Sequence, residues 1–514
     1  MNKNENNLSQ WLNDSVESST NCNAERQDKI LDTDKAFNLP ELLNKTVTLL
    51  KRSYPNISRN VLTSEVIMKT SQMIISKRVK YRLFDDTVYP NYFAIIFMPS
   101  GYGKDKLSNE LDNHVFKNFR LWFKNEEEKY YQRQVNEVKY RAECEFPTDK
   151  QLQKRKKYID EECKKIRHLP IEVSKGTPEG LFSDAYAFQK AGFGCLAIKY
   201  GEFGLLLKNA NSEDEKVIQT LFELFDGKVT AKSIKSENNS AVVEDIPCCA
   251  LLYSDPTLFA KELKEMFNSL MQTGLGRRAT ISYLPETKAI IEKNPDIACE
   301  NAKRFPIEAN EIGEKIFSIF LNLQENSIYK ITEDTYKEVF YPYRVELTDM
   351  ANNVDNPLLK REINSRWFKA QKVSCIFAIL NHVNEHVITP KDMKQAINVV
   401  NMLGEDFKSF LYLKPTYKDL YERVFEFFKE HLGKGFTATQ LKRKYYKDFG
   451  CSRKTFNKEF EEIIQYVKEI AIENGYIFST TNLQPSGAKY SLIVAPSGEL
   501  SEGVLPLDEL IKDG

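Results

Sequence analysis

The stretch that most constrains this chain is the apolar run Tyr92-Phe-Ala-Ile-Ile-Phe97, followed at once by Met-Pro-Ser-Gly-Tyr-Gly-Lys104. Apolar residues without alternation mark a strand covered on both faces, as in a parallel sheet flanked by helices. The polar sequence after Lys104 is helix-compatible, so the order is strand, glycine turn, helix. Gly101 and Gly103 can take positive φ and let backbone amides converge on an anion, and Lys104 adds an ammonium charge. Polyphosphate binding follows from that chemistry, with Pro99, Ser100, Gly101, Tyr102, Gly103, Lys104 and Asp105 as the nucleotide-binding residues. Two positions depart from the usual phosphate-loop pattern. Met98 stands where the first glycine is expected, and Asp105 stands where a Ser or Thr hydroxyl would bind magnesium.

Such a loop works with an acid at the end of a neighbouring strand, which holds Mg2+ or orients water. Glu202 is the candidate, because it follows the apolar run Gly194 to Ile198; the preceding position, where Asp is usual, is Gly201. Asp105 gains a carboxylate where Gly201 loses one. The expected metal ligands are therefore Asp105 and Glu202, with Glu202 also the catalytic carboxylate that polarises water. A surface glutamate is the competing reading of that position.

Further strand-like runs at Cys248 to Tyr253 and Ala279 to Tyr283, with intervening helical patterns, predict an α/β core with a mainly parallel sheet. Residues 1–36 are polar and read as a disordered tail. Residues 37–88 form a helical lead-in, and 89–295 form the core. Within that core, charged sequence at about 113–168 predicts an inserted helical hairpin, its second helix opened by a Thr148 to Gln151 capping box. The Lys154-Arg-Lys-Lys157 run reads as a solvated helix face, with nucleic-acid contact as the alternative. Residues 296–414 are a helical subdomain, 415–495 a small module and 496–514 a tail.

In that module, Leu420, Val424, Phe427 and Phe428 mark one amphipathic helix; others start near Thr437 and Ser452. Tyr476 to Ser479 and Lys489 to Val494, separated by Pro-Ser-Gly487, predict a two-stranded wing. This pattern resembles a winged helix. DNA contact is then expected from Arg453, Lys454 and Lys458 on the third helix, supported by Lys442, Arg443, Lys444 and Lys447; a protein-docking module is the alternative.

With 73 basic and 73 acidic residues, net charge is zero, so any nucleic-acid affinity must be local. The nine cysteines include no C-x-x-C pair, which argues against a disulfide scaffold or zinc ribbon and fits a reducing, cytoplasmic setting. No apolar run is long enough to span a bilayer, so no membrane partner is expected. His382 and His386 are four apart with no third ligand nearby, and read as solvent-facing or capping residues.

The motifs Pro99-Ser-Gly-Tyr-Gly-Lys104, Gly176-Thr-Pro-Glu-Gly-Leu181, Gly201-Glu-Phe-Gly204, Leu224-Phe-Asp-Gly227 and Gly274-Leu-Gly-Arg-Arg278 occur in one order over roughly Pro40 to Pro415. In that order, with Arg366 to Leu380 and Ile388-Thr-Pro-Lys-Asp392 behind them, they resemble a family of primase-helicase-like P-loop ATPases of phages, prophages and other bacterial mobile elements. The resemblance implies a RecA-like or AAA-like core, ATP and Mg2+ as cofactors, and a homo-oligomeric ring moving on DNA, with other replication proteins as partners. It makes Arg277 and Arg278 candidates for an arginine finger offered across a subunit interface, with surface or salt-bridge residues as the competing reading, and Arg366 a weaker sensor candidate. Thr177 and Glu179 match the family pattern without an assigned role. The implied function is an ATP-dependent DNA helicase or helicase-like motor in replication. The alternative is a DNA-binding initiator whose altered loop binds nucleotide without turnover.

Overall fold

A computed structural model describes residues 38–494 apart from 85, 175, 204–211, 231–241, 257–273, 275–277, 286–293, 355, 412–417, 442, 444–452 and 484–486. The chain divides into two compact units, Met1–Tyr412 and Leu413–Gly514.

In the first unit the elements run α1 (Glu41–Ser53), α2 (Arg59–Ile75), β1 (Lys80–Leu83), β2 (Asp86–Val88), β3 (Phe93–Phe97), α3 (Lys104–Glu110), α4 (Lys117–Glu145), α5 (Leu152–Cys163), α6 (Pro178–Ala191) and β4 (Leu196–Tyr200). They continue with α7 (Ser212–Phe225), β5 (Lys228–Thr230), β6 (Val242–Glu244), β7 (Cys248–Ser254), β8 (Ala279–Tyr283), α8 (Pro295–Asn322), β9 (Ile328–Ile331), α9 (Tyr341–Asn352), α10 (Pro357–His382), β10 (Val387–Ile388) and α11 (Pro390–Leu411).

The central sheet has the order β4-β7-β3-β8, and every pairing is parallel. β3 and β7 are buried at every position, which is why their sequences run apolar without alternation. Val173 forms an isolated parallel bridge to Ile198, extending the sheet beyond β4. β4 begins two residues later than the apolar run suggested. Gly194 sits before it at φ 73°, where a Cβ would lie 2.9 Å from the Phe123 ring.

The predicted hairpin is present as α4 and α5, and the Thr148–Gln151 capping box opens its second arm. Arg155 is not a free cation of that arm, because its Nε donates to the Phe146 carbonyl at 2.9 Å and so closes the end of α4. Between α3 and α4 the chain widens into a π-helical turn, Leu111–Val115. Helix α8 crosses this turn so closely that a Cβ on Gly313 would lie 2.5 Å from the Val115 carbonyl oxygen.

The division of lead-in from helical subdomain is corrected. A second sheet, β10-β9-β1-β2, joins strands from residues 80–88 to strands from residues 328–388, so the two segments share one fold. None of these four strands exceeds four residues, too short to give a pattern against the helical background.

The second unit contains α12 (Lys418–Glu430), β11 (Phe436–Thr437), α13 (Arg453–Glu473), β12 (Tyr476–Leu483) and β13 (Gly487–Val494). β12 and β13 form the expected antiparallel pair, and β11 adds a third strand on β13 that the sequence reading lacks. Thr437 and Gln440 exchange bonds across a short helical start, Gln440 Oε1 accepting from the Thr437 amide at 2.8 Å. Val424, Phe428, Leu441, Ile463, Val467 and Leu492 form its core. Among the described residues no helix is long and apolar enough to cross a membrane.

Candidate functional site

The glycine turn lies at the carboxyl end of β3, where open parallel sheets bind their ligands. Gly101 and Gly103 both adopt positive φ, 87° and 86°, and Gly103 is the residue before α3. Both glycines are therefore required by backbone conformation. Tyr54, at the end of α1, packs its ring 3.8 Å from the place a Gly103 Cβ would take.

Lys104 Nζ donates to Glu202 Oε1 at 2.5 Å and to the Gly201 carbonyl at 3.0 Å. The two sequence candidates thus meet, by a route different from the expected one. β4 is not beside β3, because β7 lies between them, and Glu202 reaches across from the turn after Tyr200. An acid from a next-but-one strand can do so because all the strands end on the same side.

The acid that follows β7, the strand between β4 and β3, is Asp255, which the sequence reading missed. Its carboxylate is 8% exposed, and its Oδ2 accepts the Ser100 amide hydrogen at 2.9 Å. The signal was available, since Asp255 follows the apolar run Cys248 to Tyr253 much as Glu202 follows its own run. The bond fixes the first amide of the turn and hence the direction of the amides after it. If the turn holds a nucleotide, replacing Asp255 with alanine is expected to weaken that binding about tenfold, the equivalent of one such charge-assisted bond. Equilibrium titration with a fluorescent ATP analogue checks this, and unchanged affinity would remove Asp255 from the site.

Asp105 is exposed on the first turn of α3. Among the described residues no three His, Cys, Asp or Glu side chains gather to hold a metal. Asp105 and Glu202 could supply only part of a magnesium shell, with phosphate oxygens and water supplying the rest.

Beneath the loop lies a buried polar layer. Glu65 of α2 is fully buried and accepts from the Tyr253 hydroxyl at 2.7 Å, while Lys199 donates to Ser108 of α3 at 2.6 Å. Burial pushes the Glu65 carboxyl up to about 7, against the opposing pull of Tyr253, Lys69, Lys199 and Ser108. Burial also pushes the Lys69 ammonium down, but its partners Glu172 and Asp112 outweigh this and hold it above the usual lysine range.

The Glu65 shift has a sign. A carboxyl raised in the folded state contributes stability that is complete below its ordinary value of 4.5 and is lost as pH rises through about 7. Between pH 4.5 and 8 the parent should therefore lose about 3 kcal/mol relative to Glu65→Gln, measured by urea unfolding at each pH. Parallel pH profiles for the two proteins would show that Glu65 does not titrate in this range.

The remaining candidates are placed as follows. Arg278 stands at the amino end of β8, whose register sets Ala279 against Phe93, so it is a full strand length from the glycine turn of its own chain. It is paired with Asp226, Nε to Oδ1 at 3.3 Å, and the guanidinium lies over Phe222. Arg277 lies outside the described residues. Arg366, the weaker sensor candidate, is 2% exposed, bonded through Nε to Glu362 at 2.8 Å, and packed where a Cβ on Gly404 would collide with it.

Thr177 caps α6 by accepting from the Gly180 amide at 3.1 Å, a structural role. His382, expected to be solvent-facing or capping, is half-buried, with Nε2 2.7 Å from Asp392 Oδ2, which joins the end of α10 to the start of α11. In the second unit Arg443 is exposed. Arg453, Lys454 and Lys458 occupy the first turns of α13, with only their backbone described, and Lys442, Lys444 and Lys447 lie outside the described residues.

No known family model and no curated protein matches this chain.

Proposed function

We propose that the first unit is a P-loop nucleoside-triphosphatase core that binds Mg-ATP at the Pro99 to Asp105 turn, and that the protein is an ATP-driven motor on DNA. The observation that carries this reading is the meeting of Lys104 and Glu202 at 2.5 Å above a turn with two positive-φ glycines. An accidental glycine turn has no reason to draw its lysine and a strand-end acid to one point.

In this reading the amides of the turn and Lys104 hold the β- and γ-phosphates, and Asp105 takes the magnesium position vacated by Ser or Thr. Glu202 exchanges its lysine for the attacking water when phosphate arrives, and Asp255 holds the turn in shape. Electrostatic stabilisation by positioned groups is the main source of rate in phosphoryl transfer. The three-stranded second unit, with α13 carrying Arg453, Lys454 and Lys458 on its first turns, supports a winged-helix DNA contact. The ring and a trans role for Arg277 rest on the family resemblance. For Arg278 such a role requires that Asp226 give up its partner.

ATP turnover with and without single-stranded DNA tests the proposal. The motor reading expects turnover that DNA stimulates severalfold, and no gain in turnover for Asp105→Ser. The second reading, a nucleotide-binding initiator, draws on the Asp105 departure and expects tight duplex binding with no turnover in either condition.

A further inference from the structure

A groove of about 420 Å³ lies away from the glycine turn, between the start of α4 and the segment Leu169 to Ile171. Its floor is apolar, with Phe123 and Leu169 each 4% exposed. Its rim carries three cations, Lys117, Arg120 and Lys124, and two acids already engaged, Asp112 with Arg120 and Glu127 with His168 at 2.8 Å; Leu121 between the cations is 52% exposed. Arg120 contacts Asp112 at 3.2 Å, whereas Lys117 and Lys124 are exposed with no acidic partner among the described residues. An apolar floor under unpaired cations suits a ligand that carries both apolar side chains and carboxylates. Single-stranded nucleic acid fits less well, because it calls for exposed aromatic faces on which bases stack, and the one aromatic residue here is buried.

We infer that this groove is the docking site for the chain's own N-terminal segment, through Leu8, Trp11 and Leu12 with Asp14 and Glu17. These residues combine three large apolar side chains at helical spacing with two acids directly behind them. The attachment point of the segment is also near. Helix α1, the first described helix after the segment, packs along α8, and Phe320 of α8 packs on Trp122 of α4 at 4.7 Å.

The site has a connection to the loop. An acid docked beside Arg120 competes with Asp112 for the guanidinium, and Asp112 lies in the π-helical turn that continues α3 from Lys104.

The test uses the full chain with the photo-crosslinking residue p-benzoylphenylalanine in place of Leu121, irradiated and analysed by peptide mass spectrometry. The expected product joins position 121 to residues 8–17 of the same chain, with no mixed species in an equal blend of 14N- and 15N-labelled protein. Lys117→Glu with Lys124→Glu, and separately Trp11→Ala with Leu12→Ala, should each cut its yield at least fivefold; all four changes leave the described core intact. Crosslinks to other parts of the chain, mixed-isotope products that mark a second copy, or a crosslink that forms only to added single-stranded DNA would each overturn the assignment.

Discussion

Lys104→Ala is expected to lower ATP turnover by about 100- to 1,000-fold, the usual loss when one positioned charge is removed from a transferring phosphoryl group. The ammonium is the only full positive charge that the glycine turn itself supplies. Its present partners, Glu202 and the Gly201 carbonyl, place it at the centre of the site. The same change should scarcely move thermal stability. Glu202 is 38% exposed, and an ion pair so open to solvent contributes at most about 1 kcal/mol. Steady-state hydrolysis and a thermal melt on one preparation separate the two effects. A large fall in melting temperature accompanying the lost turnover would make Lys104 a structural residue.

The second large effect is on folding. Glu362 of α10 accepts from Arg366 at 2.8 Å and from Lys369 at 3.4 Å, and all three side chains are at most 4% exposed. Glu362→Ala leaves two buried cations without their shared anion, a change that costs about 3–5 kcal/mol. Urea unfolding of the first unit should register it, with Glu362→Met as a comparison that fills the space and still fails to neutralise the cations. A loss below about 1 kcal/mol would mean that water reaches this cluster.

These two cases differ in how far the sequence announced them. The glycine turn was legible because its requirements are local: an apolar run, two glycines and a lysine within thirteen residues of chain. The strand runs at Cys248 and Ala279 were legible for the same reason. Strand order was not, because which strands lie side by side depends on crossovers that no local pattern records. For that reason Glu202 was assigned to a neighbouring strand, while Asp255, directly after β7, which does adjoin β3, went unnoticed. Arg366 misled by type. Charged residues on a helix usually face water, yet in α10 Glu362, Arg366, Lys369 and Lys372 are all buried and satisfy one another or nearby rings. The positions of β1, β2, β9 and β10 escaped because pairs of two- to four-residue strands carry almost no periodic signal.

The central claim is that Lys104 and Glu202 face one phosphate-binding point and must part for nucleotide to enter. Glu202→Gln probes both halves at once, since the amide keeps the shape of the carboxyl while releasing the lysine and losing the base. Equilibrium binding of ATP together with single-turnover hydrolysis should show tighter binding by severalfold and turnover reduced at least about 100-fold. Weaker binding, or turnover at the parent rate, would contradict the account.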